Sequence, residues 1–185
     1  MKILIACEYS GTVRDAFSAL GHDAWSCDIL PSDTPGSHIQ DDVLNHLNSS
    51  WDMMIAHPPC TYLSNAGLRW FSVQPGRMQL AKEALEFVMH LADAPIPMIA
   101  IENPRGKLTE WYRRADQIIQ PWQFGHAATK ETHLWLKQLP PLLYSQIHTN
   151  PMKNWTEKGH RSAKARSKTF PGIAAAMASQ WGQLS

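Results

Sequence analysis

The chain has 185 residues, enough for one domain with a sizeable core. Hydrophobic residues make up 44%, no run is long enough to span a membrane, and the start Met1-Lys2-Ile3-Leu4-Ile5-Ala6 is too short for a signal peptide. A net charge of +1 excludes a broadly basic nucleic-acid binder, so any such function must use a local patch. Cys7, Cys27 and Cys60 are an odd set at wide spacing, which argues against a disulfide framework and suits a reducing cytoplasm. The nine histidines lack the paired Cys/His spacing of a zinc site, so no metal is expected.

In chain order, Lys2 to Cys7 reads as a first strand that ends near Glu8. Gly11 follows, then a helical pattern in Val13, Ala16, Phe17 and Leu20, closed by Gly21. His22 to Asp28 reads as a second strand with an acid at its end. Ile29 to Gln40 is turn-rich, with Pro31, Pro35 and Gly36. Asp41-Asp42-Val43 precedes a short helical stretch, and Trp51 to Ala56 is a third strand. Pro58 and Pro59 stop that strand just before Cys60. Residues 78–92 form an amphipathic helix with Leu80, Ala84, Phe87, Val88 and Leu91 on one stripe. Pro97 to Ile101 is another buried strand, ending in Glu102-Asn103-Pro104-Arg105-Gly106. A helical turn spans Leu108 to Arg113, and Thr132 to Leu136 is a late strand. Ile173 to Trp181 is a final helix with Pro171 near its start. Strands alternating with helices imply a mostly parallel sheet in a single domain over 1–185. Residues 146–167 form a basic loop within it.

Open α/β sheets keep their chemistry at the carboxyl ends of the strands. Cys60 falls there, as does Glu102. A thiol nucleophile beside a carboxylic acid suits attack on an electron-poor ring, with the acid holding a ring nitrogen. Taken singly, Cys60 also reads as a small buried hydrophobe and Glu102 as a helix-start acid. Glu8, Asp28 and Asp42 follow successive elements in the order a nucleoside ligand needs. A turn and helix start hold its charged end, an acid after the second strand takes the ribose, and a later acid takes the adenine amino group. The Gly11 loop lacks G-x-G-x-x-G, which counts against a plain nicotinamide or flavin site. Lys153, Lys158, His160, Arg161, Lys164, Arg166 and Lys168 form one basic cluster, read either as a solvated loop or as a phosphate-binding patch. Trp70, Trp111 and Trp155 are candidates for stacking on a base.

These residues together resemble the cytosine-C5 DNA methyltransferases, and the resemblance runs in order through nearly the whole chain. Pro58-Pro59-Cys60, followed by Ser64 and Gly67, is similar to the family's Pro-Cys nucleophile loop. Glu102-Asn103 resembles its Glu-Asn-Val motif, with Pro104 in place of valine. Ala6 to Gly21 resembles the first cofactor loop without its paired glycines, and Asp28 matches the ribose-binding acid. Asp42-Val43 is similar to the adenine-binding motif, and Lys168 to Gly182 to the final motif, which folds back beside strand one. The resemblance implies a three-layer, Rossmann-like fold that uses S-adenosylmethionine. It implies cofactor contacts at Glu8, Gly11, Asp28, Asp42, Pro58 and Thr169. Catalysis falls to Cys60 and Glu102. Substrate contacts fall to Ser64, Asn103, Arg105, Lys130, Arg161, Lys164 and Arg166.

The implied reaction adds the Cys60 thiolate to carbon 6 of cytosine, with Glu102 at N3 and methylation at carbon 5. The chain departs from the family in three places. His57 stands where the family commonly has glycine. The Gln-x-Arg-x-Arg motif is not intact near Thr129-Lys130-Glu131-Thr132-His133, where Lys130 replaces one arginine. The residues after Leu136 are too few for a separately packed target-recognition domain, so relaxed sequence preference is expected. Amine methyltransferases place Asp or Asn before Pro-Pro and an aromatic after it. His57 and Cys60 at those positions favour carbon methylation. The expected substrate is cytosine in DNA. The alternatives are a free cytosine nucleotide, or a non-catalytic relative that binds nucleotide or protein. A protein partner and a homodimer both stay open.

Overall fold

The computed structural model describes residues 1–65, 73–151 and 167–184. Seven strands form one sheet in the order β3-β2-β1-β4-β5-β7-β6. They are β1 (Lys2–Ala6), β2 (Asp23–Asp28), β3 (His38–Gln40), β4 (Met53–Ala56), β5 (Met98–Pro104), β6 (Gln117–Ile119) and β7 (Thr132–Lys137). The pairs from β3 across to β5 are parallel, whereas β7 runs antiparallel to both β5 and β6. The expectation of a mostly parallel α/β sheet holds. The short strands β3 and β6 are additions: β3 closes the turn-rich segment after β2, and β6 lies on the far edge.

The central strands are buried on both faces, which is why they read as unbroken apolar runs. Ile3, Ile5, Met53, Ile55 and Ala100 face one way. There they pack with Val13 and Phe17 of helix α1 (Thr12–Ser18), and with Ile173, Met177 and Trp181 of the final helix α4 (Pro171–Trp181). Leu4, Ala6, Met54, Ala56, Ile99 and Ile101 face the other way. Their partners include Val88 and Leu91 of α2 (Arg77–Ala92) and Leu108 of the short α3 (Leu108–Trp111). On α2 the inward stripe uses Ala81, while Leu80 is exposed. Leu20, expected on the apolar face of α1, lies past its end and is also exposed. No helix among the described residues is long and apolar enough to cross a membrane.

Register places the chemistry. Ala6 pairs with both Cys27 and Ala56, and Ala56 pairs with Ile101. One step further along each strand stand Asp28, Cys7, His57 and Glu102. These four residues form a row along the carboxyl edge, across the switch point where strand order reverses between β1 and β4.

Candidate active site

The loop after β4 is sewn onto the loop after β5. The Asn103 side-chain amide donates to the Pro58 carbonyl at 2.8 Å, and the amide oxygen of Asn103 is buried without a partner among the described residues. The Cys60 carbonyl accepts the amides of Leu63 (3.1 Å) and Ser64 (2.9 Å), starting a turn. Ser64 bridges Gly106, the Asn65 amide donates to the Arg105 carbonyl at 3.1 Å, and that of Lys107 to Leu63 at 2.7 Å. A side chain at Gly106 would run into the Leu63 carbonyl, so glycine is required for this close approach. The Cys60 thiol is reduced and exposed at the start of the turn, and Arg105 is exposed beside it in chain order.

Glu102 is held from the neighbouring strand. His57 Nδ1 lies 3.0 Å from Glu102 Oε2, with side chains only 8% and 11% exposed. Burial raises the Glu102 pKa, but the His57 hydrogen bond and the charges of Lys130 and His57 outweigh it, and the carboxyl stays below its ordinary range. With an ionised carboxylate as acceptor, Nδ1 carries the proton. The other ring nitrogen, Nε2, is buried and has no partner among the described residues. Glu102 also lines a narrow crevice together with Lys130, Thr132, Thr169, Phe170 and Ile173.

A second cleft, open to solvent, is lined in part by His57. Its walls are Cys7, Glu8, Tyr9, Ser10, His57, Ser167, Lys168 and Thr169. Thr169 is common to both clefts. Tyr9 Oη and Ser167 Oγ, 2.9 Å apart, join the loop after β1 to the segment before α4, and Lys168 Nζ and Asp33 Oδ2 at 2.8 Å join that segment to the residues after β2. Glu8 is buried, and its carboxylate accepts the amides of Val13 (2.8 Å) and Arg14 (3.2 Å) at the start of α1. Gly11 precedes that helix in the left-handed region, φ 74°, where a side chain would strike Thr34 and Arg14. Glu8 and Gly11 therefore shape the cleft wall through the helix start.

Asp28 and Asp42 line neither cleft. Asp28 accepts the Leu30 amide at 2.9 Å, and Asp42 caps the turn at Val43–His46 through Leu44 at 3.0 Å. Both lie close enough to Cys7 to act on its charge. Burial first, then Asp28, Cys27 and Asp42, pushes the Cys7 thiol far up. Burial and the same acidic group, with Asp41 foremost, push Cys27 to about 11. Neither thiol is a nucleophile at neutral pH. Ile29 and Leu30, directly after Asp28, are 72% and 49% exposed. They offer an apolar surface next to the acid.

Sequence reasoning treated His57 only as a departure from a pattern. The signal was its position: it follows β4 as Glu102 follows Ile101, in paired strands. Arg14 was also missed. It is 1% exposed and clamps residues 32–35 through Ser32, Thr34 and the Pro35 carbonyl, while also binding Ser26 and Asp15. Trp111, the last residue of α3, is half-buried at the edge of the core. Arg161, Lys164 and Arg166, with Gly67, Trp70, Trp155 and the rest of the basic cluster except Lys168, lie outside the described residues.

No family model matches the chain, and no curated protein matches it. Among solved structures it is similar to one assigned as a DNA modification methyltransferase encoded within a prophage of E. coli. The identity is 15% and the TM-score 0.50, over 79% of this chain and 51% of that one. The chain therefore spans about half the length of that structure. This likeness and the strand order agree on the fold: the chain has a Rossmann-like α/β architecture, as that structure does.

Proposed function

We propose that this protein modifies DNA by moving a methyl group from S-adenosylmethionine to carbon 5 of cytosine, through a covalent bond to Cys60. One observation carries the reading: the 2.8 Å bond from Asn103 to the Pro58 carbonyl. It ties the strand end that bears Glu102 to the loop that bears Cys60, so a ring nucleophile and a carboxylate belong to one rigid unit. The fold supports the reading, since methyltransferases of this architecture bind their cofactor at the same sheet edge.

The residues present fit the cofactor. The solvent-open cleft lies at the carboxyl end of β1, between the first loop and the segment before α4. Asp28 would take the ribose hydroxyls, with the exposed apolar pair Ile29 and Leu30 beside it. Asp42 would take the adenine amino group and Thr169 would complete the wall, with Gly11 acting through the helix start, whereas Pro58 is buried and lines neither cleft. S-adenosylmethionine supplies the methyl group when bound. The chain supplies the rest. Cys60 as thiolate adds to carbon 6, and the electron pair moves towards N3, where Glu102 stands. This makes carbon 5 electron-rich enough to take the methyl group. Loss of the carbon 5 proton and of the thiolate restores the ring. In duplex DNA the base must first leave the stack, at a cost of a few kcal/mol. Ser64, Arg105 and Lys130 would contact it, and the buried Asn103 would act through its bond to the Pro58 loop.

Incubation with tritiated S-adenosylmethionine and a panel of duplex DNA, single-stranded DNA, RNA and free cytidine nucleotides tests the reading. Label in DNA cytosine is the expected result. DNA carrying 5-fluorocytosine should form a covalent adduct at Cys60, because fluorine cannot leave as a proton does. Label in free nucleotide alone would make the protein a nucleotide methyltransferase of the same chemistry. Calorimetric binding of the cofactor with no transfer to any substrate would make it a binding protein.

A further inference from the structure

We propose that one buried water, shared by Asn103 and His133, pegs the Cys60 loop to the sheet, and that His133 is a positioning residue for the chemistry there. The positioning role rests on the methyl-transfer reading; the water site does not. Four buried side-chain atoms among the described residues have no hydrogen-bond partner, and three of them lie on one side of the sheet. These three are Asn103 Oδ1, His133 Nδ1 and Thr109 Oγ1. Asn103 and His133 stand opposite each other in the antiparallel pairing of β5 with β7. Both share the side of Ile101 and Trp135, because side chains alternate along a strand. Thr109 belongs to α3, whose Leu108 packs on that same side.

The two strand residues cannot satisfy each other. The Asn103 amide nitrogen is committed to the Pro58 carbonyl at 2.8 Å, so its oxygen is what remains, and that oxygen only accepts. His133 Nε2 lies 2.9 Å from Glu131 Oε1. A carboxylate oxygen accepts, so Nε2 carries the proton of the neutral ring and Nδ1 offers a lone pair. Two acceptors therefore stand on a cross-strand pair whose Cβ atoms are about 5 Å apart. Asn103 is 1% exposed and His133 5%, so bulk solvent serves neither. Buried polar atoms are seldom left unpaired, and an internal water is the usual remedy. One water resolves both, since its two O–H groups donate to the two acceptors. Its oxygen is then free to accept from a hydroxyl such as that of Thr109.

The water completes a line from β7 to the nucleophile loop. Glu131 orients His133. His133 and the water fix the Asn103 amide, and that amide holds the Pro58 carbonyl two residues before Cys60. Without the peg, the Asn103 amide is free to turn over and set its oxygen against the Pro58 oxygen. Two lone pairs would then face each other, and the loop would lift from the strand that bears Glu102. Neither His133 nor the water touches the base in this arrangement.

Three measurements test this. A high-resolution crystal structure of the full chain should show one water within about 3.2 Å of both Asn103 Oδ1 and His133 Nδ1. Amide exchange, followed by nuclear magnetic resonance, reads the loop independently of activity. His133→Phe has no ring nitrogen and should speed exchange about tenfold at Leu63 and Ser64, whose amides the Cys60 carbonyl holds. Exchange in β1 and β4 should stay as in the wild type. His133→Asn, whose side-chain oxygen falls near the place of Nδ1, should keep the wild-type pattern. In the tritium assay, His133→Phe should lower kcat by about 10–100-fold with the KM for S-adenosylmethionine unchanged, and His133→Asn should recover most of it. A dry, direct contact between Asn103 and His133 would overturn the peg, as would wild-type exchange at Leu63 and Ser64 in His133→Phe. Faster exchange throughout the sheet would reduce His133 to packing and overturn it too. A loss of kcat that His133→Asn does not relieve would overturn the positioning role. If the water and the exchange pattern are found but the wild type transfers no methyl group, the proposed function falls and the peg stands.

Discussion

The three cysteines differ in environment, and that difference separates chemistry from packing. Cys7 and Cys27 are held protonated by burial and by Asp28, Asp41 and Asp42, whereas Cys60 is exposed. Iodoacetamide at mildly alkaline pH should therefore label Cys60 first, with Cys7 and Cys27 reacting only on unfolding; peptide mass mapping reads the order. Cys60→Ala should abolish turnover while leaving cofactor binding nearly intact, and Cys7→Ala and Cys27→Ala should retain chemistry, as tritium transfer and calorimetry would record. Equal labelling of all three thiols would contradict this account. The proposed catalytic pair was legible in the sequence because each member directly follows an apolar strand run. Its geometry was not. Nothing local to His57 says that it meets Glu102, since their contact depends on the register of β4 against β5, which separates them by 45 positions in the chain.

Elements show the same division between local and distant information. The long strands and helices follow from apolar periodicity. The three-residue strands β3 and β6 carry too little pattern to be read, and each exists only by pairing with a neighbour. The segment before β3 is ordered by Arg14, a buried cation on α1 that no apolar pattern marks. Arg14→Ala would remove a charged donor from Ser26, Ser32 and Thr34, and should cost at least about 2 kcal/mol. For a domain of this size that is roughly 4–8 °C in Tm, measurable by calorimetry. Gly106→Ala tests the other junction. Its new side chain would push against the Leu63 carbonyl and spread the Cys60 loop from the Glu102 strand. Methyl transfer should fall by about 10²-fold, the scale of a displacement near 1 Å, while cofactor binding persists. An unchanged rate would show that the two loops need not be joined.

At the scale of the whole molecule, two dependences on solution conditions follow from charge. The first is pH. His126 Nε2 accepts the Gly172 amide at 2.9 Å, fixing the start of α4, and burial lowers the His126 pKa below its ordinary 6.5. His22 is lowered too, by burial and by the N-terminal ammonium. A histidine whose pKa is lower when folded is protonated more readily in the unfolded chain. The stability it gives is whole above about 6.5, and is lost as pH falls from there towards the lowered value. Tm should therefore drop between pH 7.5 and 5.5, and drop less in His126→Gln, whose side-chain oxygen can still accept the Gly172 amide. The second dependence is salt. With a net charge of +1 the molecule has no broad positive field, so the proposed DNA binding would draw its phosphate contacts from the cluster between Lys153 and Lys168. Phosphate contacts position the duplex but carry no sequence information, which resides in base edges. Replacing Lys158, Arg161, Lys164 and Arg166 with alanine should thus weaken binding equally for all sequences. It should also flatten the slope of log affinity against log salt by about 0.9 for each phosphate that the chain no longer neutralises. Fluorescence anisotropy across a salt series on two unrelated duplexes measures both effects. A weakening confined to one duplex, with the slope unchanged, would mean that these residues read bases instead.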